Sequence, residues 1–385
     1  MAVEKITIER FLQMSENYPV FDVRSPAEYG HAHIPGAYSL PLFSDEERKV
    51  VGTTYKQKSR EDAIKTGLDY FGPKMKKMVN EVESVLNSPE YVLKSEGRHT
   101  LLVHCWRGGM RSAAIAWLLD LYGFKVFTLA GGYKKFRNFV GELFSLSYQF
   151  NILGGYTGSG KTILLKELER AGHPVVDLEE IAHHKGSAFG AINEPPQPTQ
   201  EMFENRLAKA LYDAFRISRL RLYEEKPEKI FIENESGNPL RIWIEDESQR
   251  IGNVNLPNDL WGVMRKSPVF FIDIPFEERL EHLVTGYGQL DKEKMINAIL
   301  RIKKRLGGLE TKTAVNYLIE DNCRDSFRVL LTYYDKHYLK GLQNRENSYY
   351  QITTIKCNKV DIIHNARLLL REVKPETEKE LIKKR

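Results

Sequence analysis

A chain of 385 residues, 42% hydrophobic and 28% charged, is long enough for two domains with cores of their own. It has no run of eighteen apolar residues, which excludes a transmembrane helix. Its 57 basic against 52 acidic residues, and only three cysteines, permit a nucleic-acid partner and argue against a disulfide framework or a zinc site.

The cysteines Cys105, Cys323 and Cys357 are far apart, as in a protein of a reducing compartment. The first residues lack the basic-then-apolar pattern of a secretory signal. A cytoplasmic location without membrane contact is therefore expected. In chain order, Tyr18 to Asp22 predicts a strand, followed by a turn and a short helix at Ser25 to Tyr29. Pro35 and Gly36 predict a turn. Phe43 to about Ser88 predicts highly charged helix. Thr100-Leu-Leu-Val predicts a buried strand, Ala113 onward a helix, and Lys125 to Leu129 another strand. Strands alternating with helices imply a parallel sheet covered on both faces.

Between that strand and helix lies His104-Cys-Trp-Arg-Gly-Gly-Met-Arg-Ser112. Backbone N–H groups of such a loop point inward, and the helix N-terminus adds partial positive charge. Both favour a thiolate at Cys105. Arg111 can hold a tetrahedral anion bidentately beside the sulfur. The plainer reading is an inert core cysteine. A Gly-Gly loop with two arginines argues against it.

Asp22-Val-Arg, His33-Ile-Pro-Gly-Ala, the Cys105 loop and Leu129-Ala-Gly-Gly-Tyr, in that order, resemble a rhodanese domain. The resemblance covers residues 1 to about 140. It implies that Cys105 carries sulfur or selenium as a persulfide or perselenide. The usual sulfurtransferase loop has four residues between Cys and Arg. Here there are five: Trp106, Arg107, Gly108, Gly109 and Met110. The longer loop is also found in rhodanese-fold phosphatases, where it encloses a phosphate group. The loop alone does not choose between the two chemistries.

Tyr148 to Leu153 predicts a strand, and Ile163 to Arg170 a helix. Between them, Gly155-Tyr-Thr-Gly-Ser-Gly-Lys-Thr162 satisfies the P-loop pattern in the context it needs. Gly155, Gly158, Ser159 and Gly160 let the backbone wrap a phosphate chain. Lys161 supplies a point charge, and Thr162 can hold a magnesium ion. Further strands are predicted at Pro174 to Asp177, Lys229 to Glu233 and Pro268 to Asp273. Asp177 and Glu233 end such strands, where they could hold magnesium, orient water or simply cap a turn. His183 and His184 lack a nearby third ligand, so anion contact or loop structure is favoured over metal. Glu245 to Val254 mixes acids with Arg250. Residues 244–248, which overlap this segment, and residues 232–236 both read Ile-Glu-X-Glu-Ser, and the sequence does not say which faces a site. Arg301, Lys303, Lys304 and Arg305 form either a solvated face or a contact to phosphate backbone. The tail from Lys374 to Arg385 predicts a frayed helix.

The fold class predicted is α/β. An N-terminal rhodanese-like domain with a parallel sheet (residues 1–140) is followed by a linker (141–150). A P-loop NTPase-like α/β domain with a helical C-terminal part completes the chain (151–385). This domain order, with Ala182 to Gly190, Glu245 to Gly252 and Lys304 to Gly308, resembles the tRNA 2-selenouridine synthases over nearly the whole chain. Lys185 stands where the family's usual arginine follows the histidine. Gln249 displaces the usual arginine to position 250. The resemblance implies a transferase acting on tRNA that carries wobble 2-thiouridine. It implies S-geranylation from geranyl diphosphate and then replacement of the S-geranyl group by selenium from selenophosphate. It also implies an enzyme that produces selenophosphate as a partner. No tightly bound cofactor or metal is expected beyond magnesium at the P-loop. Two other readings remain open at this stage: a rhodanese-fold phosphatase fused to a P-loop kinase, and a non-catalytic module that senses nucleotide and binds RNA. Oligomeric state is not legible.

Overall fold

The computed structural model describes residues 3–92, 99–220, 241–346 and 352–373. The strand predicted at Lys229 to Glu233, including Glu233 itself, and the helix predicted for Lys374 to Arg385 lie outside them. The chain divides into two compact units. One is Met1–Leu143 with Glu204–Arg206, and the other is Phe144–Phe203 with Leu207–Arg385.

In the first unit the strands are β1 (Glu4–Ile6), β2 (Val20–Asp22), β3 (Tyr38–Ser39), β4 (Thr100–His104) and β5 (Lys125–Leu129). They form a parallel sheet in the order β1-β5-β4-β2-β3. Leu101, Leu102 and Val103 of β4 are wholly buried, as befits a strand covered on both faces. The charged region after Phe43 is helical, as the sequence predicts: Asp45–Gln57, Arg60–Phe71 and Met75–Leu86. Ser44 and Glu47 cap the first of these reciprocally, which satisfies N–H groups that the helix leaves unpaired. Met75–Leu86 buries Met78, Val79, Val82 and Leu86 on one stripe. At about 2 kcal/mol for each large apolar side chain, that stripe outweighs the polar remainder. Val82→Asp would break the packing.

In the second unit β6 (Phe150–Gly155), β7 (Val175–Val176), β8 (Ile242–Glu245), β11 (Val269–Asp273) and β12 (Ile352–Lys356) form a second parallel sheet. Its order is β12-β11-β6-β8-β7. Between β8 and β11 a small antiparallel pair, β9 (Arg250–Ile251) and β10 (Val254–Asn255), makes a hairpin. β8 corrects the sequence reading, which gave no strand at 242–245. Its four residues are all buried, and the acidic residues that follow disguise so short an apolar run. The C-terminal part is largely helical: Phe276–Tyr287, Lys292–Arg301, Lys303–Leu306, Gly308–Ile319 and Cys323–Glu346. These pack around Leu280, Ile299, Ala314 and Phe327. The helix Gly132–Phe144 runs through the first part of the predicted linker, and β6 opens at Phe150. The connecting segment is therefore 145–149 rather than 141–150. Among the described residues no helix is long and apolar enough to cross a membrane.

Candidate active sites

Each unit places a loop at the carboxyl end of a central strand, where parallel sheets present their sites. In the first unit β4 ends at His104 and Cys105 follows it, 3% exposed. The loop turns into the helix Met110–Tyr122. The Gly109 N–H donates to the Cys105 Sγ at 3.3 Å. The Ser112 hydroxyl lies 3.2 Å from the Sγ and 3.1 Å from the Gly109 carbonyl. Its one proton can serve only one of them, and a thiolate, being charged, is the stronger acceptor.

The loop is fastened to the Gly131–Gly132 turn. Tyr133 N donates to the Cys105 carbonyl at 2.8 Å, and Lys134 N to that of Trp106 at 3.0 Å. Gly132 has φ +59, and a Cβ there would lie 2.2 Å from the Cys105 carbonyl oxygen and 2.5 Å from Gly108 N. Gly132→Ala should therefore displace the loop and lower any activity that depends on Cys105 at least about tenfold while far-ultraviolet circular dichroism stays unchanged, since the strain is local. Trp106 is 38% exposed and leans on Tyr133, their rings 5.6 Å apart. The Asp22-Val-Arg motif lies beneath. Arg24 pairs with Asp22 at 2.5 Å, both fully buried, and donates to the Ala32 carbonyl. Its guanidinium lies 3.8 Å from the centre of the Tyr133 ring.

Arg111 is held at 2.7 Å by Glu28, a residue the sequence reading passed over. Glu28 also accepts from Ser25 N and Arg48. Burial pushes the Glu28 carboxyl up. The hydrogen bond and charge of Arg111 outweigh that and hold it below its ordinary range. Arg107 and Met110 stand exposed at the loop rim.

In the second unit the P-loop follows β6. Gly158 (φ +82) and Gly160 (φ +74) take the left-handed conformation that the wrapping loop requires. Lys161 Nζ donates to the Gly155 carbonyl at 2.9 Å, and the Thr162 hydroxyl to Glu179 at 2.9 Å. The helical part braces the loop: buried Arg279 donates to the Thr157 carbonyl and pairs with Asp335. Tyr338 accepts from Gly155 N and donates to Asp246.

A cavity of about 380 Å³ opens on this loop. One end is polar, formed by Thr157 to Thr162, Glu179, Lys185 and Glu247. The other is apolar, formed by Phe189, Leu283, Phe327, Leu330 and Leu331 beside the rings of Tyr287 and Tyr334. The Ile-Glu-X-Glu-Ser run at 244–248 reaches the site through Glu247, and the run at 232–236 lies outside the described residues. Glu179 and Glu247 form one carboxyl pair and Asp177 with Glu245 a second. Burial, then the charge of Glu179, pushes Glu247 up to about 8. Burial, then Asp177, raises Glu245 well above its ordinary value. The wall is thus less negative at neutral pH than its composition suggests.

Asp177 caps the helix Leu178–Ala182, accepting from Glu180 N at 2.8 Å. His184 packs against Gly190 within its own loop. Arg250 donates to the Gly252 carbonyl within the β9–β10 hairpin. Neither His184 nor Arg250 lines the cavity. Arg301, Lys303, Lys304 and Arg305 are exposed around the junction of two helices. If they contact the phosphate backbone of a nucleic acid, reversing Lys303 and Lys304 to Glu should weaken its binding. It should also reduce the slope of log affinity against log salt by about 2. Filter binding across a salt series reads both, and an unchanged slope would leave the cluster a solvated face.

A family model described as a rhodanese-like domain matches residues 7–139, and one described as the tRNA 2-selenouridine synthase AAA domain matches residues 148–361. The chain is 31% identical over 379 residues to a tRNA 2-selenouridine synthase of Nitrosomonas europaea, covering 85% of this chain and 90% of that one. It is 32% identical over 363 residues to a tRNA 2-selenouridine synthase of Hydrogenovibrio crunogenus, covering 86% and 91%. A third, from Bdellovibrio bacteriovorus, is 32% identical over 374 residues, with 86% and 90% covered.

Proposed function

Since the chain belongs to the tRNA 2-selenouridine synthases, we propose that it converts wobble 2-thiouridine in tRNA to 2-selenouridine through an S-geranyl intermediate. Geranyl diphosphate would be the alkyl donor and selenophosphate the selenium donor. The observation that carries this reading is the cavity at the P-loop. Its polar end suits a diphosphate, and its apolar end suits a hydrocarbon chain attached to it.

In the alkylation the thiouridine sulfur attacks C1 of the geranyl group. A C–S bond forms, the C–O bond to diphosphate breaks, and the ring N3–H gives up its proton. Lys161 and the P-loop N–H groups stabilise the charge that grows on the leaving diphosphate. The donor set beside them, the Thr162 hydroxyl and the Glu179 carboxylate, is of hard oxygens and fits magnesium. That ion takes one or two carboxylates plus substrate phosphates rather than a complete protein cage. When bound, it would neutralise part of the diphosphate charge. Alkylation makes the sulfur a better leaving group for the second step. Selenium delivery falls to the Cys105 loop, with selenophosphate supplied by an enzyme that makes it.

The test is to fill the apolar end. Leu283 is half-buried on the cavity wall. Leu283→Trp should remove contacts worth about 2 kcal/mol for two or three methylene groups, raising KM for geranyl diphosphate roughly thirtyfold. Inhibition by inorganic diphosphate should be unchanged. Unchanged KM would mean that the apolar end does not hold the chain.

A further inference from the structure

We propose that Cys105 attacks the phosphorus of selenophosphate, not its selenium, so that the loop passes through an S-phosphocysteine and releases hydrogen selenide as the selenium nucleophile. This rests on the reading of the loop as the selenophosphate site and deepens it.

If the thiolate attacks selenium, the P–Se bond pair stays on phosphorus. The products are then a perselenide and phosphorus reduced to the phosphite level. If the thiolate attacks phosphorus, an S–P bond forms and the P–Se pair leaves with selenium, which takes a proton. Water then attacks the phosphocysteine, the S–P bond pair returns to sulfur, and phosphate departs. Hydrogen selenide adds to C2 of the S-alkylated base, the C–S bond breaks, and geranylthiol leaves. No atom changes its oxidation level, and no outside oxidant or reductant is needed.

The structure supports the second course at three points. Five residues separate Cys105 from Arg111, and the loop is anchored so that the Gly109 N–H points at the sulfur. The sulfur therefore has a main-chain donor aimed at it at the start of a helix, where a tetrahedral group can sit with its central atom above the nucleophile. Ser112 is 1% exposed, and its hydroxyl lies 3.2 Å from the same sulfur. A carrier that only passes selenium on does not need sulfur to depart from phosphorus. A phosphocysteine does, and the hydroxyl stabilises the departing thiolate.

The third point is the state of the carboxylates around this loop among the described residues. The carboxylates tied to the surroundings of this loop are Glu28, through Arg111, and Asp22, through Arg24. Both are locked in ion pairs. Expelling an alkoxide from a phosphate ester needs a proton donor, and neither can serve. Selenide is the anion of a much stronger acid and leaves without one. The site is therefore suited to selenophosphate over phosphate esters, against the reading of the chain as a general phosphatase.

The experiment supplies the full-length enzyme with S-geranyl-2-thiouridine tRNA and selenophosphate labelled in its phosphorus. Phosphorus nuclear magnetic resonance should show phosphate as the product. Acid quenching should leave label on the protein, several-fold more on Ser112→Ala, whose phosphocysteine breaks down slowly, and none on Cys105→Ser. Phosphite as the product, or selenium on Cys105 with no labelled phosphorus in either enzyme, overturns the proposal. Conversion by Cys105→Ser at the wild-type rate overturns instead the reading of the loop itself.

Discussion

Cys105→Ser enzyme, given thiolated tRNA, geranyl diphosphate and selenophosphate, should accumulate S-geranyl-2-thiouridine and form selenouridine about a thousandfold more slowly or not at all. Serine keeps the shape of the side chain and removes the soft nucleophile. The loop should stay in place, because its anchors are main-chain bonds from Tyr133 and Lys134 to residues 105 and 106. The first step should survive, since in the proposed reaction its nucleophile is the sulfur of the tRNA. The other two cysteines are controls. Cys323 is half-buried, and Cys357 lies in the core beside β12, so replacing either with Ser should leave activity per folded chain unchanged. Nucleoside mass spectrometry reads all three variants. Normal selenouridine from Cys105→Ser would remove the loop from the reaction.

Both loops were legible because each is a local device. Strand, anion loop and helix are contiguous in sequence, so Thr100 to Leu119 and Phe150 to Arg170 could be understood without knowing what packs on them. The parallel sheets followed from the alternation of elements. What was not legible comes from distant segments. The apolar half of the cavity is built from Phe189, Leu283, Phe327 and Leu331, which in sequence look like ordinary core positions and are also part of a core. Glu179 and Glu247 meet only because β8 pairs with both β6 and β7, and β8 was the strand the reading missed. Glu28 stands 83 residues before Arg111, and nothing in its own turn announces the pairing. Ser112 is part of the loop in the sequence, but only its distance to the sulfur gives it work to do.

Lys161→Ala separates the two steps from the other side. Lys161 Nζ rests on the Gly155 carbonyl. A bound diphosphate offers it an anionic partner, so the lysine should exchange a carbonyl acceptor for a charged one. That contact strengthens as the C–O bond breaks and charge moves onto the diphosphate. Its loss should therefore lower the rate of geranylation about a hundredfold or more and not only weaken binding. Folding should tolerate the change, because the hydrogen bond given up is worth about 1 kcal/mol and the Glu179 and Glu247 carboxyls, which the lysine charge holds down, can take up protons instead. Meanwhile Arg279 still holds Thr157, and Tyr338 still holds Gly155. Given 2-thiouridine tRNA, Lys161→Ala should make neither S-geranyl product nor selenouridine. Given tRNA already geranylated, together with selenophosphate, it should make selenouridine at a rate close to that of the unaltered enzyme, since that step draws on the Cys105 loop. Cys105→Ser should show the opposite pattern on the same two tRNAs. If Lys161→Ala geranylates normally, the P-loop does not hold the prenyl diphosphate. If it also fails on pre-geranylated tRNA, the P-loop serves the selenium step as well, and the assignment of one anion to each loop is wrong.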